Sequence, residues 1–167
     1  MSDRTPSGRA VVITISSSRA AGAEAPDRSG PATADALTDL GLAVVAQELI
    51  GDDRDQIARR LVHWAAAGVD LVATTGGTGF APDDVTPEAT RDVIDREAPG
   101  VAEAMRLASR EATAMWWLSR ATAGVRGRTL IVNLPGNPKA IDECLGALAE
   151  GLPHALALLR GTSDRHG

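Results

Sequence analysis

Three short runs rich in β-branched residues each break off into a loop of glycine, serine, proline or asparagine. Ala10–Ile15 (AVVITI) leads into Ser16–Pro31, Val69–Thr75 runs straight into Gly76-Gly77-Thr78-Gly79, and Thr129–Leu134 ends at Pro135-Gly136-Asn137-Pro138. Runs of this length are too short for a helix. Being apolar at nearly every position, they predict strands buried on both faces. Leu42–Ile50 reads as a fourth strand. Between the strands the apolar period changes to that of a helix. Ala32–Leu40 reads as a helix stopped by Gly41, and Asp53–Ala67 as one whose inner side carries Ile57, Leu61, Val62, Trp64 and Ala65 before Gly68 closes it. Thr86 reads as an N-cap with Pro87 at the first helical position and Glu88 in the first turn. Gly100–Ala112 is expected to be helical, and Ala114–Val125 to finish as a strand. The stripe Ile141, Cys144, Leu145, Leu148, Leu152, Leu156 and Leu159 is helical with a break at Gly151–Pro153. Strand–helix alternation of this kind implies an α/β fold of three layers, with a mostly parallel sheet covered on both faces.

The expected domain covers residues 10–161, with flexible polar tails at 1–9 and 162–167. A length of 167 residues suits one core. No apolar run approaches the roughly 18–20 residues that span a bilayer, so no membrane partner is expected. A formal net charge of −5 argues against a broad phosphate-backbone binder, and with no Tyr and a single Phe, base-stacking on nucleic acid is not expected either. The interior must instead be filled by Ala, Val, Leu and Ile. One cysteine, Cys144, leaves no internal disulfide and no cysteine-cluster metal site. The N-terminus shows no long apolar stretch before a cleavage site, and the cytoplasm is the expected compartment.

In an open parallel sheet, ligands bind beyond the carboxyl ends of the strands, where these three loops lie. The central one is the most informative. Gly76–Gly79 lacks the Gly-Lys-Ser/Thr ending of a P-loop and the third glycine of a dinucleotide fingerprint. Taken alone it is as readily a plain turn into a helix. The acidic residues that follow it, Asp83 and Asp84, tip the balance, because a phosphate cradle beside carboxylates can hold both a phosphate and the Mg²⁺ that neutralises it.

Thr75-Gly76-Gly77-Thr78-Gly79 with Asp84-Val85-Thr86-Pro87-Glu88-Ala89, then Leu118-Ser119-Arg120-Ala121, then Asn133-Leu134-Pro135-Gly136-Asn137-Pro138, and finally Leu152-Pro153-His154-Ala155-Leu156, resemble the MogA/MoaB family of molybdopterin adenylyltransferases. The likeness runs from about Val11 to Gly161. It implies a molybdopterin-binding-like three-layer fold, a homotrimer, and Mg-ATP-dependent transfer of AMP to the terminal phosphate of molybdopterin with release of pyrophosphate, in molybdenum cofactor biosynthesis. Carried over by position, Asp84 and Asp52 match the active-site aspartates, implied to be both catalytic and metal-binding. Gly76, Gly77, Thr78 and Gly79 match the phosphate loop, and Ser119, Pro135, Gly136, Asn137 and Pro138 match pocket-lining positions. Lys139, the only lysine, and Arg19 are the candidate cations for the developing charge. The chain departs from the family at Ser18, where an Asp before Arg19 is common, at Gly51, where a Pro is frequent, and at Trp116–Trp117, which replace smaller residues.

Two other readings compete. A nucleotide pyrophosphatase of the competence/damage-inducible type resembles this chain around the glycine loop but normally carries a further C-terminal domain. A weakly catalytic molybdopterin-binding module that hands cofactor to a molybdenum insertase would fit the departures at Ser18 and Gly51. His63, His154 and His166 lack metal-ligand spacing and read as surface, pocket-edge and tail residues. Cys144 reads as core, and Trp116 and Trp117 as core or subunit contact.

Overall fold

In the computed structural model, which describes residues 7–22 and 25–162, the buried apolar runs become the middle of one six-stranded sheet. The strands are β1 (Gly8–Ile15), β2 (Leu42–Ile50), β3 (Leu71–Thr75), β4 (Arg96–Glu97), β5 (Ala123–Arg126) and β6 (Thr129–Leu134). The helices are α1 (Ser17–Ala20), α2 (Ser29–Asp39), α3 (Arg54–Ala66), α4 (Thr86–Arg91), α5 (Pro99–Ala108), α6 (Pro138–Leu148) and α7 (Leu152–Arg160), with a 3-10 turn at Trp116–Leu118. The strand order is β2-β1-β3-β6-β5-β4. Its first four strands pair in parallel, and β5 and β4 extend the sheet antiparallel.

Side-chain alternation along β1 sets the two cores. Ala10 and Val12 face a layer built from α2, α5, α6 and α7, while Val11, Ile13 and Ile15 face one built mainly from α3 and α4. The largest fully buried side chains are aliphatic or Met, none of them aromatic. In α3, Ile57 and Leu61 are fully buried and Trp64 packs against the same cluster. Truncating Leu61 to Ala is expected to cost about 2–5 kcal/mol, because close packing leaves a cavity rather than collapsing. No helix of the described residues is long and apolar enough to cross a membrane.

The mostly parallel three-layer α/β architecture is the one expected, and β2 and β6 fall on their expected residues. Several boundaries differ. Helix α2 begins at Ser29 rather than Ala32, because the Asp27 carboxylate accepts from the N–H groups of Ser29 (2.9 Å) and Gly30 (3.2 Å). The segment Ser16–Pro31 is therefore less of a loop than expected and also contains α1. Helix α5 stops at Ala108, short of Ala112, and the two-residue β4 had no separate signal. Thr86 is not a cap. Its hydroxyl donates to Gly76 O (3.0 Å) and its N–H to Gly77 O (3.1 Å), so it ties α4 back onto the glycine loop. Trp117 is 61% exposed and Trp116 half-buried, so neither is core. Residues 163–167, and His166 with them, lie outside the described residues.

Candidate active site

The parallel strands all point their carboxyl ends toward one edge of the sheet, and the loops leaving them are bonded to one another there. Ser16 N–H donates to Ile50 O (2.8 Å), joining the ends of β1 and β2. The Asp52 carboxylate accepts from Ser17 N–H (2.7 Å), while Asp52 N–H donates to the Ser17 hydroxyl (2.7 Å). Gly51 sits against the same serine: a Cβ there would lie 3.3 Å from Ser17 Oγ. On the other side of β3, Gly76 N–H donates to Leu134 O (3.2 Å) and the Thr75 hydroxyl to Pro135 O (2.7 Å). A Cβ on Gly136 would lie 3.5 Å from Gly76 Cα, so the two glycine turns touch.

Between these flanks runs the central loop. Gly76 and Gly77 hold φ values of +96° and +65°, a region that side chains other than glycine seldom enter. Space is also closed: a Cβ on Gly76 would collide with the carbonyl of Ile15, and one on Gly77 with the Thr86 hydroxyl. Among the described residues, the N–H groups of Gly77, Thr78 and Gly79 donate to no protein acceptor. Successive uncommitted donors in a turn form an anion-binding concavity.

Both expected aspartates reach this loop, at opposite ends. Asp52 Oδ1 lies 3.3 Å from the position a Gly77 Cβ would take, and Asp84 Oδ2 lies 2.7 Å from that of Gly79. The Asp84 carboxylate also accepts from Ala81 N–H (3.0 Å), and both aspartates are half-buried. Among the described residues no group of three or more His, Cys, Asp or Glu gathers as a metal site. That donor set fits a magnesium ion held through one or two carboxylates together with the phosphates of a bound nucleotide, which is how this ion is commonly bound.

The other expected positions divide. Ser119 and Pro135 share the wall of a cavity of about 140 Å³ with Met115, Trp116 and Cys144. Burial pushes the Cys144 thiol up to about 11, so it is an inert wall rather than a nucleophile. Asn137 caps α6 by accepting from Lys139 N–H (3.0 Å). Lys139 itself is exposed at the start of that helix. His63 and His154 are exposed. Arg120 is the residue that sequence reasoning passed over. Its backbone N–H donates to Thr78 O (2.9 Å) and its Nε to Gly79 O (2.6 Å), so it is bonded directly to the loop. The signal was the Leu118-Ser119-Arg120-Ala121 motif itself, in which only Ser119 was read as part of the site.

A family model described as "Probable molybdopterin binding domain" matches residues 11–154. The chain is 40% identical over 152 residues to a molybdopterin adenylyltransferase of Helicobacter pylori, covering 89% of this chain and 86% of that one. It is 39% identical over 158 residues to a molybdenum cofactor biosynthesis bifunctional protein of Synechococcus elongatus, covering 95% of this chain but spanning only 49% of that relative's length. Among solved structures, the molybdopterin biosynthesis enzyme MoaB from Thermus thermophilus superposes with a TM-score of 0.86 at 47% identity, covering 92% of this chain and 97% of that one.

Proposed function

The chain belongs to the molybdopterin-binding domain family of molybdenum cofactor biosynthesis, and on that premise we propose that it is a molybdopterin adenylyltransferase. An oxygen of the terminal phosphate of molybdopterin attacks the α-phosphorus of ATP, the bond from that phosphorus to the bridging oxygen breaks, and pyrophosphate leaves. The observation that carries the reading is the run of three backbone donors at Gly77–Gly79, uncommitted among the described residues, with a carboxylate at each end.

Two polyanions must meet, so the protein's task is to hold phosphates and offset their repulsion. Gly77, Thr78 and Gly79 present N–H groups to a phosphate, and the positive φ values of Gly76 and Gly77 make the turn that aims them. Pro135, Gly136, Asn137 and Pro138 line the neighbouring side, and the cavity beside Ser119 receives an organic portion of a substrate. Asp52 and Asp84 would hold Mg²⁺, which neutralises charge between the phosphates when bound with the nucleotide. Arg19 and Lys139 supply positive charge at the rim. The protein acts as a homotrimer in the cytoplasm and passes its product on to a molybdenum insertase.

The Asp84→Asn variant tests this assignment, since it keeps the shape and removes the charge. Pterin monophosphate is expected to bind as well as to the native protein, while turnover falls about 100-fold or more, the scale of losing a main stabiliser of the transition state. Near-full turnover in that variant would place the catalytic centre elsewhere.

A further inference from the structure

Arg120 lies between the 3-10 turn and β5, in a stretch with no helix or strand of its own. Its guanidinium nevertheless spans the whole segment that leaves the glycine loop. Nε donates to Gly79 O (2.6 Å) and Nη2 to Asp84 O (2.6 Å). Nη1 donates to Glu88 Oε1 in the first turn of α4, and Nη2 lies 3.4 Å from Glu88 Oε2. The backbone N–H of the same residue holds Thr78 O (2.9 Å). A planar fork of fixed donors can span three acceptors in this way, whereas an ammonium on a flexible stem cannot.

The bridged segment runs between Thr78, whose carbonyl the Arg120 N–H holds, and Thr86, which is bonded to the Gly76 and Gly77 carbonyls. Phe80, Ala81, Pro82 and Asp83 are exposed. Their own bonds close only a small ring, Asp84 N–H to Ala81 O (3.0 Å) and Ala81 N–H to the Asp84 carboxylate (3.0 Å). That ring fixes the Asp84 side chain relative to Ala81. Within that frame the ring's own ends, the carbonyls of Gly79 and Asp84, are both on Arg120.

We propose that Arg120, held in place by Glu88, is a positioning residue for adenylyl transfer, fixing the Gly79 and Asp84 peptides so that the loop donors and the Asp84 carboxylate meet the phosphates in one geometry. The inference rests on the adenylyltransferase reading above. Nε, Nη1 and Nη2 each donate to a protein acceptor, which commits the plane of the guanidinium to Gly79, Asp84 and Glu88. Its charge is matched at home: the Arg120 hydrogen bond is the main cause holding the Glu88 carboxyl below its ordinary 4.5. Arg91 stands farther off, 3.8 Å from the same carboxylate.

The test compares Arg120→Lys, which keeps the charge and loses the fork, with the native protein in two measurements. In pyrophosphate release from Mg-ATP and molybdopterin, kcat is expected to fall about 100-fold, the cost of roughly 1 Å of misplacement, while KM for either substrate moves less than about threefold. Adding Asp84→Asn to Arg120→Lys is then expected to cost far less than the product of the two single losses, since a misplaced carboxylate has little left to lose. In amide hydrogen exchange of the free protein, the bonded N–H groups of Ala81 and Asp84 are expected to exchange faster in the variant, with β3 and β6 unchanged. Native kcat in Arg120→Lys overturns the proposal. So does a loss shared by kcat, KM, melting temperature and exchange throughout the sheet, which would make Arg120 a bolt of the fold alone. Should the native protein show no pterin-dependent turnover, the adenylyltransferase reading fails, and the exchange arm decides the positioning claim by itself. If Arg120→Lys does not fold, Glu88→Gln takes its place, with the same pattern at about tenfold.

Discussion

Asp27 shows how a single side chain can fix where a helix begins. Burial raises its carboxyl, but the hydroxyls of Thr14 and Ser29 and the backbone N–H groups of Gly30 and Ser29 more than offset this and leave it below the ordinary 3.8. A carboxyl with a lowered folded value stabilises the fold fully above its unfolded value, and the contribution is lost as pH falls through the folded one. Asp27→Ala is therefore expected to lose about 1–2 kcal/mol at pH 7, the scale of a lost helix cap, and progressively less below about pH 4. Urea unfolding at pH 7 and pH 3 checks this, and an equal loss at both would refute it. Cys144 gives the opposite kind of residue. With its thiol raised to about 11 and its side chain buried, alkylation at pH 8 should track unfolding and show no fast phase in the native protein. Both candidate aspartates could be picked out because a motif resemblance carried them. Asp27 could not, because its partner Thr14 lies on β1 and only the folded chain brings the two together, Thr14 Oγ1 donating to Asp27 Oδ2 over 2.6 Å.

At the scale of an element, the glycine loop separates stability from chemistry. Gly76 combines a φ of +96° with a rigid neighbour, the Ile15 carbonyl, so Gly76→Ala has no inexpensive relief and should cost about 2 kcal/mol or more. A Cβ on Gly79 meets instead the movable end of Asp84 at 2.7 Å. Gly79→Ala should leave the melting temperature within a few degrees of native yet lower turnover about tenfold or more by displacing that carboxylate. Melting curves and turnover measured on both variants check the contrast, and equal effects on both readouts would contradict it. The buried strands and this loop could be read from the chain because their signals are local: β-branched runs, then glycines. β4 could not, since its two residues are a strand only by pairing Arg96 with Val125 and Glu97 with Gly124. Arg120 likewise reads as an ordinary basic residue until the fold sets it across three acceptors.

For the whole molecule, the layering was legible from alternation alone, whereas the strand order was not, because nothing local says that β6 inserts beside β3 and sends β5 to the antiparallel side. The exposed apolar side chains belong to this scale. Phe80 (67%), Met115 (68%) and Trp117 (61%) stand in water in the single chain, and large apolar groups of this kind favour subunit contacts. Sedimentation at micromolar concentration should show a trimer, weakened by Trp117→Ser, and a native monomer would contradict the assembly. The most direct measurement of what the molecule does is pyrophosphate release by the native protein from Mg-ATP, with and without molybdopterin. Release that requires both substrates is the expected result. Binding of molybdopterin with no release under any divalent metal would contradict it and leave a carrier of the pterin in place of the enzyme.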